Sequence, residues 1–175
     1  VGNSKEKFKI LRTTMGRYSM YSPKQRPVLI VLINFDGVKN LFRFISKVPF
    51  EAVFLDESTR AKNPETIRSQ VMWALGEKIP RRFIMTGFPI TDHPPEIYSQ
   101  IKFLDHGKTF GNSYEAFLDK YFKKKSGKYT LKPGATKKIF DAIKDFCIMV
   151  PESVIKLPPK VFKKVALTPY ADQKR

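Results

Sequence analysis

The sequence predicts an α/β domain with a mostly parallel β-sheet covered by helices. Short apolar runs of strand length alternate along the chain with longer segments of helical periodicity, and this order of elements is typical of that fold class. The chain has 175 residues, of which 42% are hydrophobic, and this content suffices for one core of ordinary size. The composition therefore excludes a chain that is disordered throughout.

Four apolar runs are predicted to form strands. The first, residues 28–34, contains no polar residue before its last position, so we expect a strand buried on both faces, as in parallel sheets covered by helices. Residues 50–57 and 81–87 are two more short runs, and each ends abruptly in polar residues or glycine. The fourth run, residues 146–150, is stopped by Pro151.

Four helices are predicted between and after these strands. In the first, Asn63 is the expected N-cap and Pro64 the first helical residue, and Ile67, Val71 and Leu75 form an apolar stripe. The same periodicity predicts helices over residues 95–105, 113–122 and 135–145.

The charge of the chain predicts an anionic partner. Its 33 basic and 16 acidic residues give a formal net charge of +17, and an excess of this size in a compact fold points to nucleic acid. Two basic flanks, residues 1–50 and 101–175, enclose a nearly neutral centre. The densest basic cluster is a lysine run, read either as a nucleic-acid contact or as a solvated surface, and it consists of Lys123, Lys124, Lys125 and Lys128.

The sequence also excludes a membrane protein and any structure that needs paired cysteines. No apolar stretch reaches the roughly 18 to 20 residues that span a bilayer, and the first residues lack a signal-peptide core, so we expect no membrane association. Cys147 is the single cysteine, which excludes an intramolecular disulfide and a cysteine-based zinc site. The lack of disulfides fits a reducing, intracellular location, which would be the cytoplasm or, in a eukaryote, the nucleus.

The ends of two predicted strands carry the candidate site, because ligands of open parallel sheets bind beyond the carboxyl ends of the strands. One strand leads directly into Asp56 and Glu57. Such a carboxylate can hold the water shell of Mg²⁺ while its neighbour orients a water for attack on phosphate. The next strand ends in Thr86 and Gly87, which suit a phosphate-sensing loop. Taken singly, each pattern is better explained by an ordinary strand end or turn.

Together the two strand ends match a known family. The segments FLDESTRAKN at 54–63, RRFIMTGFPI at 81–90 and PPEIYSQIKFL at 94–104 resemble, in order and spacing, the Swi2/Snf2 family of superfamily 2 DNA translocases. That family writes its motif II as DEAH-R-x-K-N and its motif III around TGTP. Weaker similarity to the motif Ib region and to later segments extends the resemblance to residues 28–173.

The resemblance implies the first RecA-like lobe of a helicase-like ATPase with the P-loop NTPase fold, which uses ATP and Mg²⁺ and acts on double-stranded DNA. By this resemblance Asp56 would hold Mg²⁺, Glu57 would polarise the attacking water, and Thr86 and Gly87 would sense the γ-phosphate. Two further basic residues of motif II are expected to bind nucleic acid, and these are Arg60 and Lys62.

The sequence departs from the family at several positions. Ser58 and Thr59 stand where the family prefers Ala-His, and Phe88 replaces the second hydroxyl of motif III. The positions that the family uses to couple hydrolysis to movement are thus changed, whereas the two carboxylates are kept. No G-x-x-x-x-G-K-[ST] loop occurs; Gly107-Lys108-Thr109 follows a predicted helix rather than a strand.

In the family that loop precedes motif Ib, so we expect residues 1–167 to form a partial first lobe and residues 168–175 to begin the linker to a second RecA-like lobe. We therefore expect the chain to lack the N-terminal part of the lobe, and for that reason to bind no ATP or Mg²⁺ and to be inactive alone. We also expect it to self-associate, because strands whose neighbours are missing leave unpaired edges.

Two other functions remain open. The chain could be a stand-alone basic module that binds nucleic acid on a degenerate RecA-like scaffold. A metal-dependent nuclease built on Asp56 and Glu57 would need a further carboxylate or lysine nearby, and Glu51 lies at the wrong end of the strand.

Overall fold

The computed structural model describes residues 4–87, 94–151, 154 and 161–163. The chain divides into a unit of Val1–Ile143 and a unit of Lys144–Arg175. In its described part, the second unit begins with a 3-10 turn over Lys144–Phe146, and the residues that follow are irregular and exposed. The predicted strand at 146–150 is therefore wrong. The boundary predicted after residue 167 falls outside the described residues.

The first unit mixes helices and strands, and its α/β class is confirmed. Its helices are α1 (Ser4–Ser19), α2 (Phe35–Ile45), α3 (Ile67–Gly76), α4 (Ile97–Asp105), α5 (Tyr114–Tyr121) and α6 (Ala135–Ile143). Its strands are β1 (Ala52–Asp56), β2 (Arg81–Met85), β3 (Phe122–Lys125) and β4 (Lys128–Leu131), and 3-10 turns cover Ser58–Ala61 and Pro94–Glu96.

Two small sheets replace the larger sheet that the sequence predicts. Strands β1 and β2 are parallel, with Ala52 opposite Arg81 and Asp56 opposite Met85, while β3 and β4 form a separate antiparallel hairpin. One face of the parallel pair carries the Phe54 and Phe83 rings, which stack 4.6 Å apart and remain exposed. The parallel pairing is thus confirmed, but only for two strands of the described chain.

The predicted strand at residues 28–34 is wrong. These residues form no strand, and Val28, Ile30 and Leu32 are 89%, 75% and 92% exposed. Val31 and Ile33, which alternate with Ile30 and Leu32 in the sequence, pack against the core. The run is therefore buried on one side only, and a strand also requires a neighbour that pairs its backbone.

Helix α3 begins later than predicted, and only part of its predicted apolar stripe is buried. Thr66, not Asn63, is its N-cap, because the Asn63 carboxamide oxygen accepts a hydrogen bond from the Glu65 N–H (2.9 Å) in a turn before the helix. Leu75 of the predicted stripe is buried, as is Met72 outside it, whereas Ile67 is 58% exposed. Helices α4, α5 and α6 confirm the other three predictions to within a few residues, and neither α1 nor α2 was predicted from periodicity.

The first unit contains two apolar clusters. One surrounds Met72 of α3 and collects residues of α2 and β1; the other surrounds Phe117 of α5 and collects residues of α4, α6 and the hairpin. Trp73 and Leu104 pack against both clusters. The first cluster therefore supports the parallel strands and the second supports the hairpin.

Candidate functional site

The register of the parallel strands places the two predicted strand ends side by side. Asp56 lies opposite Met85, so the residues that follow, Glu57 and Thr86, leave the sheet at the same edge. The structure thus brings together the four residues predicted to form the catalytic site, and the roles given to them remain predictions.

The carboxylate pair is exposed and sits on a strained backbone. Asp56 and Glu57 are both open to solvent, and the Glu57 N–H donates to Asp56 Oδ1 at 3.0 Å. Glu57 has φ 50° and ψ 55°, a left-handed conformation that costs a non-glycine residue about 1–3 kcal/mol. Two accessible carboxylates are the hard oxygen donors that Mg²⁺ prefers, so the donor set fits that ion.

The residue after the carboxylates is anchored to helix α4. Ser58 is 1% exposed and Gln100 is 2% exposed, and the Ser58 hydroxyl donates to Gln100 Oε1 at 2.6 Å. The Gln100 amide in turn donates to the Glu96 carbonyl at 3.4 Å. Sequence analysis missed this contact, for which the available signal was a glutamine amid the apolar residues of a predicted helix.

The 3-10 turn that follows is held by two helices. The Ala61 carbonyl accepts hydrogen bonds from the Ser69 hydroxyl of α3 (2.9 Å) and the Ser99 hydroxyl of α4 (2.6 Å). The Trp73 indole N–H donates to the Ser99 carbonyl at 3.0 Å. No buried side-chain polar atom in the described part of the chain lacks a hydrogen-bond partner, so this polar layer is fully satisfied.

The basic residues of motif II differ in their surroundings. Lys62 Nζ lies 2.8 Å from Glu96 Oε1, whose side chain is only 10% exposed, so Lys62 ties the turn to the start of α4. Arg60 is exposed and lines a surface groove of about 480 Å³ with Lys39 and Arg68. Nucleic-acid binding by Arg60 and Lys62 remains a prediction.

The end of the second strand is only partly described. Thr86 is half-buried and Gly87 is exposed, and a Cβ built at Gly87 would meet no atom within 4 Å. Packing of the described residues therefore does not require glycine there. Phe88, the motif III departure, lies outside the described residues.

The lysine run forms the β3–β4 hairpin, which was not predicted. Lys123, Lys124, Lys125 and Lys128 are all exposed, and Ser126-Gly127 forms the two-residue turn between the strands. A two-residue loop with glycine was the available signal for a hairpin. This basic cluster belongs to a different sheet from the carboxylates.

The described part of the chain contains neither a ready-made metal-binding cluster nor a helix that could span a membrane. Among the described residues, no group of three or more His, Cys, Asp or Glu side chains could hold a metal ion, so a cation at Asp56 would need oxygens from water or a ligand. Within the same part of the chain, no helix is long and apolar enough to cross a membrane.

Comparisons with known proteins find one matching family. The model of the SNF2-related domain matches residues 6–175. The chain is 32% identical over 93 residues to the SWI/SNF-related matrix-associated actin-dependent regulator of chromatin subfamily A-like protein 1 of Bos taurus, covering 53% of this chain and 10% of that protein. It is 27% identical over 101 residues to putative protein p41 of Acyrthosiphon pisum secondary endosymbiont phage 1, covering 54% of this chain and 22% of that protein. The matched part is therefore a small share of either relative.

Proposed function

The chain belongs to the SNF2-related domain family, and on that premise we propose that it forms part of an ATP-dependent motor that moves on double-stranded DNA. The membership confirms the resemblance found in the motifs. The observation that carries the proposal is the register of β1 and β2, which sets Asp56-Glu57 and Thr86-Gly87 at one edge of a parallel sheet. Ligands of such sheets bind at that edge.

Each residue of this edge has a distinct role in the proposal. The Asp56 carboxylate would hold Mg²⁺ through its water shell; bound with ATP, that ion supplies neutralisation of phosphate charge. The Glu57 carboxylate would accept a hydrogen bond from the attacking water and orient it. The Thr86 hydroxyl, on the neighbouring strand end, would contact the terminal phosphate, and Gly87 would let the backbone approach it closely.

The hydrogen bond between Ser58 and α4 gives the proposed motor a way to transmit a change at the phosphate site to that helix. The carboxylates precede a turn that is hydrogen-bonded to α4, and α4 follows the segment that begins at Thr86. We therefore propose that the carboxylate end and α4 shift as one body when the phosphate site changes. The Ser58–Gln100 hydrogen bond would serve where the family commonly has a histidine at position 59.

The proposal is tested by DNA-dependent ATP hydrolysis in the full-length protein. Glu57→Gln should lower turnover by at least about 100-fold while ATP binding is kept, since a positioned base contributes roughly 10²–10⁴-fold. Glu77→Gln is the matched control, because Glu77 is exposed at the end of α3, and it should hydrolyse ATP normally. Turnover retained by Glu57→Gln would refute the assignment.

The basic nucleic-acid-binding module remains the second candidate, and the exposed lysines of the hairpin favour it. This candidate predicts DNA binding without DNA-dependent hydrolysis in the unaltered protein. The same assay therefore separates the two functions.

A further inference from the structure

The β3–β4 hairpin is anchored by one face to the second apolar cluster. Ser126 and Gly127 at its turn have φ 49° and 79°, as the type I′ turn of a tight hairpin requires. Phe122 is 3% exposed and belongs to the second apolar cluster, against which Tyr129 and Leu131 also pack. The inner face of the hairpin is thereby fixed, and its outer face has a defined orientation on the first unit.

The alternation of side chains sorts the hairpin lysines onto two faces. Lys124 lies on the same face as Phe122, and its ammonium group is 5.6 Å from the centroid of the Tyr129 ring. The outer face carries the other three lysines, here called the lysine face, which consists of Lys123, Lys125 and Lys128.

The lysine face concentrates like charge at a cost in stability. Lys125 and Lys128 are directly opposite each other in the register, where Cβ atoms lie about 4.5–5.5 Å apart and like charges destabilise the pair. The ion pairs found among the described residues join Lys62 to Glu96, Arg68 to Asp36 and Arg81 to Glu51. None of these pairs relieves the repulsion on the lysine face.

The surrounding sequence strengthens this imbalance. Residues 120–140 contain eight lysines and no acidic residue. Protection of strand edges against aggregation needs only a few charges, and ordinary surfaces intersperse both signs. A field of one sign instead attracts an anionic partner and is relieved by it.

We propose that the lysine face binds the phosphate backbone of duplex DNA, without reading its sequence. Lysine ammonium groups are compact point charges that suit phosphates and lack the planar, bidentate fork of arginine. Tyr129 lies on the opposite face, so the lysine face offers no aromatic ring on which unpaired bases could stack. This inference rests on the proposed function, because it gives the motor a contact with DNA outside the ATP site.

The test is duplex binding by the full-length protein, titrated over salt concentration. Lys125→Gln/Lys128→Gln should reduce the magnitude of the log–log salt slope by about 1.8, because each phosphate contact contributes about 0.9. Adding Lys123→Gln should remove a further 0.9 or so. The control, Lys47→Gln/Lys78→Gln, removes the same charge from exposed positions next to α2 and α3 and should keep the parent slope.

Thermal melting supplies a second readout, because the same substitutions should raise stability while they lower DNA affinity. Removing the facing pair should raise the melting temperature at low salt, since the repulsion is lost, while DNA affinity falls. Equal slopes for the hairpin variant and the control would overturn the lysine face and leave the ATPase test with Glu57→Gln unaffected. Self-association of the hairpin variant with an unchanged slope would also overturn it, because the lysines would then only protect strand edges.

Discussion

The Ser58–Gln100 hydrogen bond allows a sharp test of how the candidate site is held. Its two oxygens are 2.6 Å apart and both side chains are buried. Ser58→Ala removes the donor and leaves Gln100 Oε1 buried without that partner, which costs about 1–3 kcal/mol of unfolding free energy. Gln100→Leu removes the acceptor and should cost a similar amount, because the Ser58 hydroxyl is then buried without it.

The double variant distinguishes a true pair from two independent polar residues. Replacing both partners by apolar groups can be nearly neutral, so Ser58→Ala/Gln100→Leu should cost less than the sum of the single changes. We expect a coupling energy of about 1–2 kcal/mol, within the range found for residues in contact. Each single change should lower the melting temperature by about 2–4 °C per kcal/mol in a chain of this size.

Urea denaturation of the three variants measures the cycle, and an unchanged m-value shows that only stability has altered. The chain supplies a matched control in Ser22 and Gln25, whose side chains form the same type of hydrogen bond at 3.0 Å while exposed to solvent. The control cycle, Ser22→Ala/Gln25→Leu, should show a coupling below about 0.5 kcal/mol, because water replaces the lost partner.

Additivity of Ser58→Ala and Gln100→Leu would refute the reasoning. It would mean that the buried hydroxyl and carboxamide do not depend on each other, and that α4 is not tied to the carboxylates through this bond. Equal coupling in the buried and the exposed cycle would show instead that burial adds nothing to the bond.

Three further outcomes follow from local geometry. Thr66→Ala should cost about 1 kcal/mol in urea unfolding, because it removes the N-cap acceptor of α3; an unchanged midpoint would contradict this. Gly107→Ala should cost more than Gly111→Ala: both glycines have positive φ, but a Cβ at Gly107 would lie 2.5 Å from Asn112 Oδ1, whereas Gly111 is open. Burial chiefly, aided by nearby negative groups, raises the pKa of Tyr114 from 10.0 to about 12. Between those pH values the folded protein keeps a proton that the unfolded chain loses, so stability should fall as pH rises. Tyr114→Phe should reduce that fall and the tyrosinate absorbance change over the same pH range, and a parent protein whose tyrosinate absorbance is complete near pH 10 would contradict the shift.

The sequence predicted the strand ends because their signals are local. A short apolar run followed by Asp56-Glu57, and another followed by Thr86-Gly87, mark two carboxyl ends, and the parallel register brings them to one edge. The Ser58–Gln100 bond joins residues 42 positions apart, so no periodicity could reveal it.

The strand predictions at residues 28–34 and 146–150 were wrong for a different reason. Hydrophobicity shows that a segment prefers burial, but a strand also needs a partner for its backbone groups. Ile148 is 92% exposed, which shows that an apolar run of strand length need not be buried in this chain. The β3–β4 hairpin shows the opposite error, a pair of strands that was not predicted. Its strands are rich in lysine and therefore lack an apolar pattern, so the Ser126-Gly127 turn is the only local signal for them.

The polar layer behind the carboxylates explains why the strained backbone at Glu57 can persist. The Ala61 carbonyl uses both of its lone pairs, one for a hydroxyl of α3 and one for a hydroxyl of α4, and Ser58 is bonded to α4 as well. Apolar contacts would let the turn slide, whereas hydrogen bonds in a buried, low-dielectric layer are directional and costly to break. A displacement of α4 against α3 must therefore break a bond or move the turn, and moving the turn changes the left-handed conformation at Glu57.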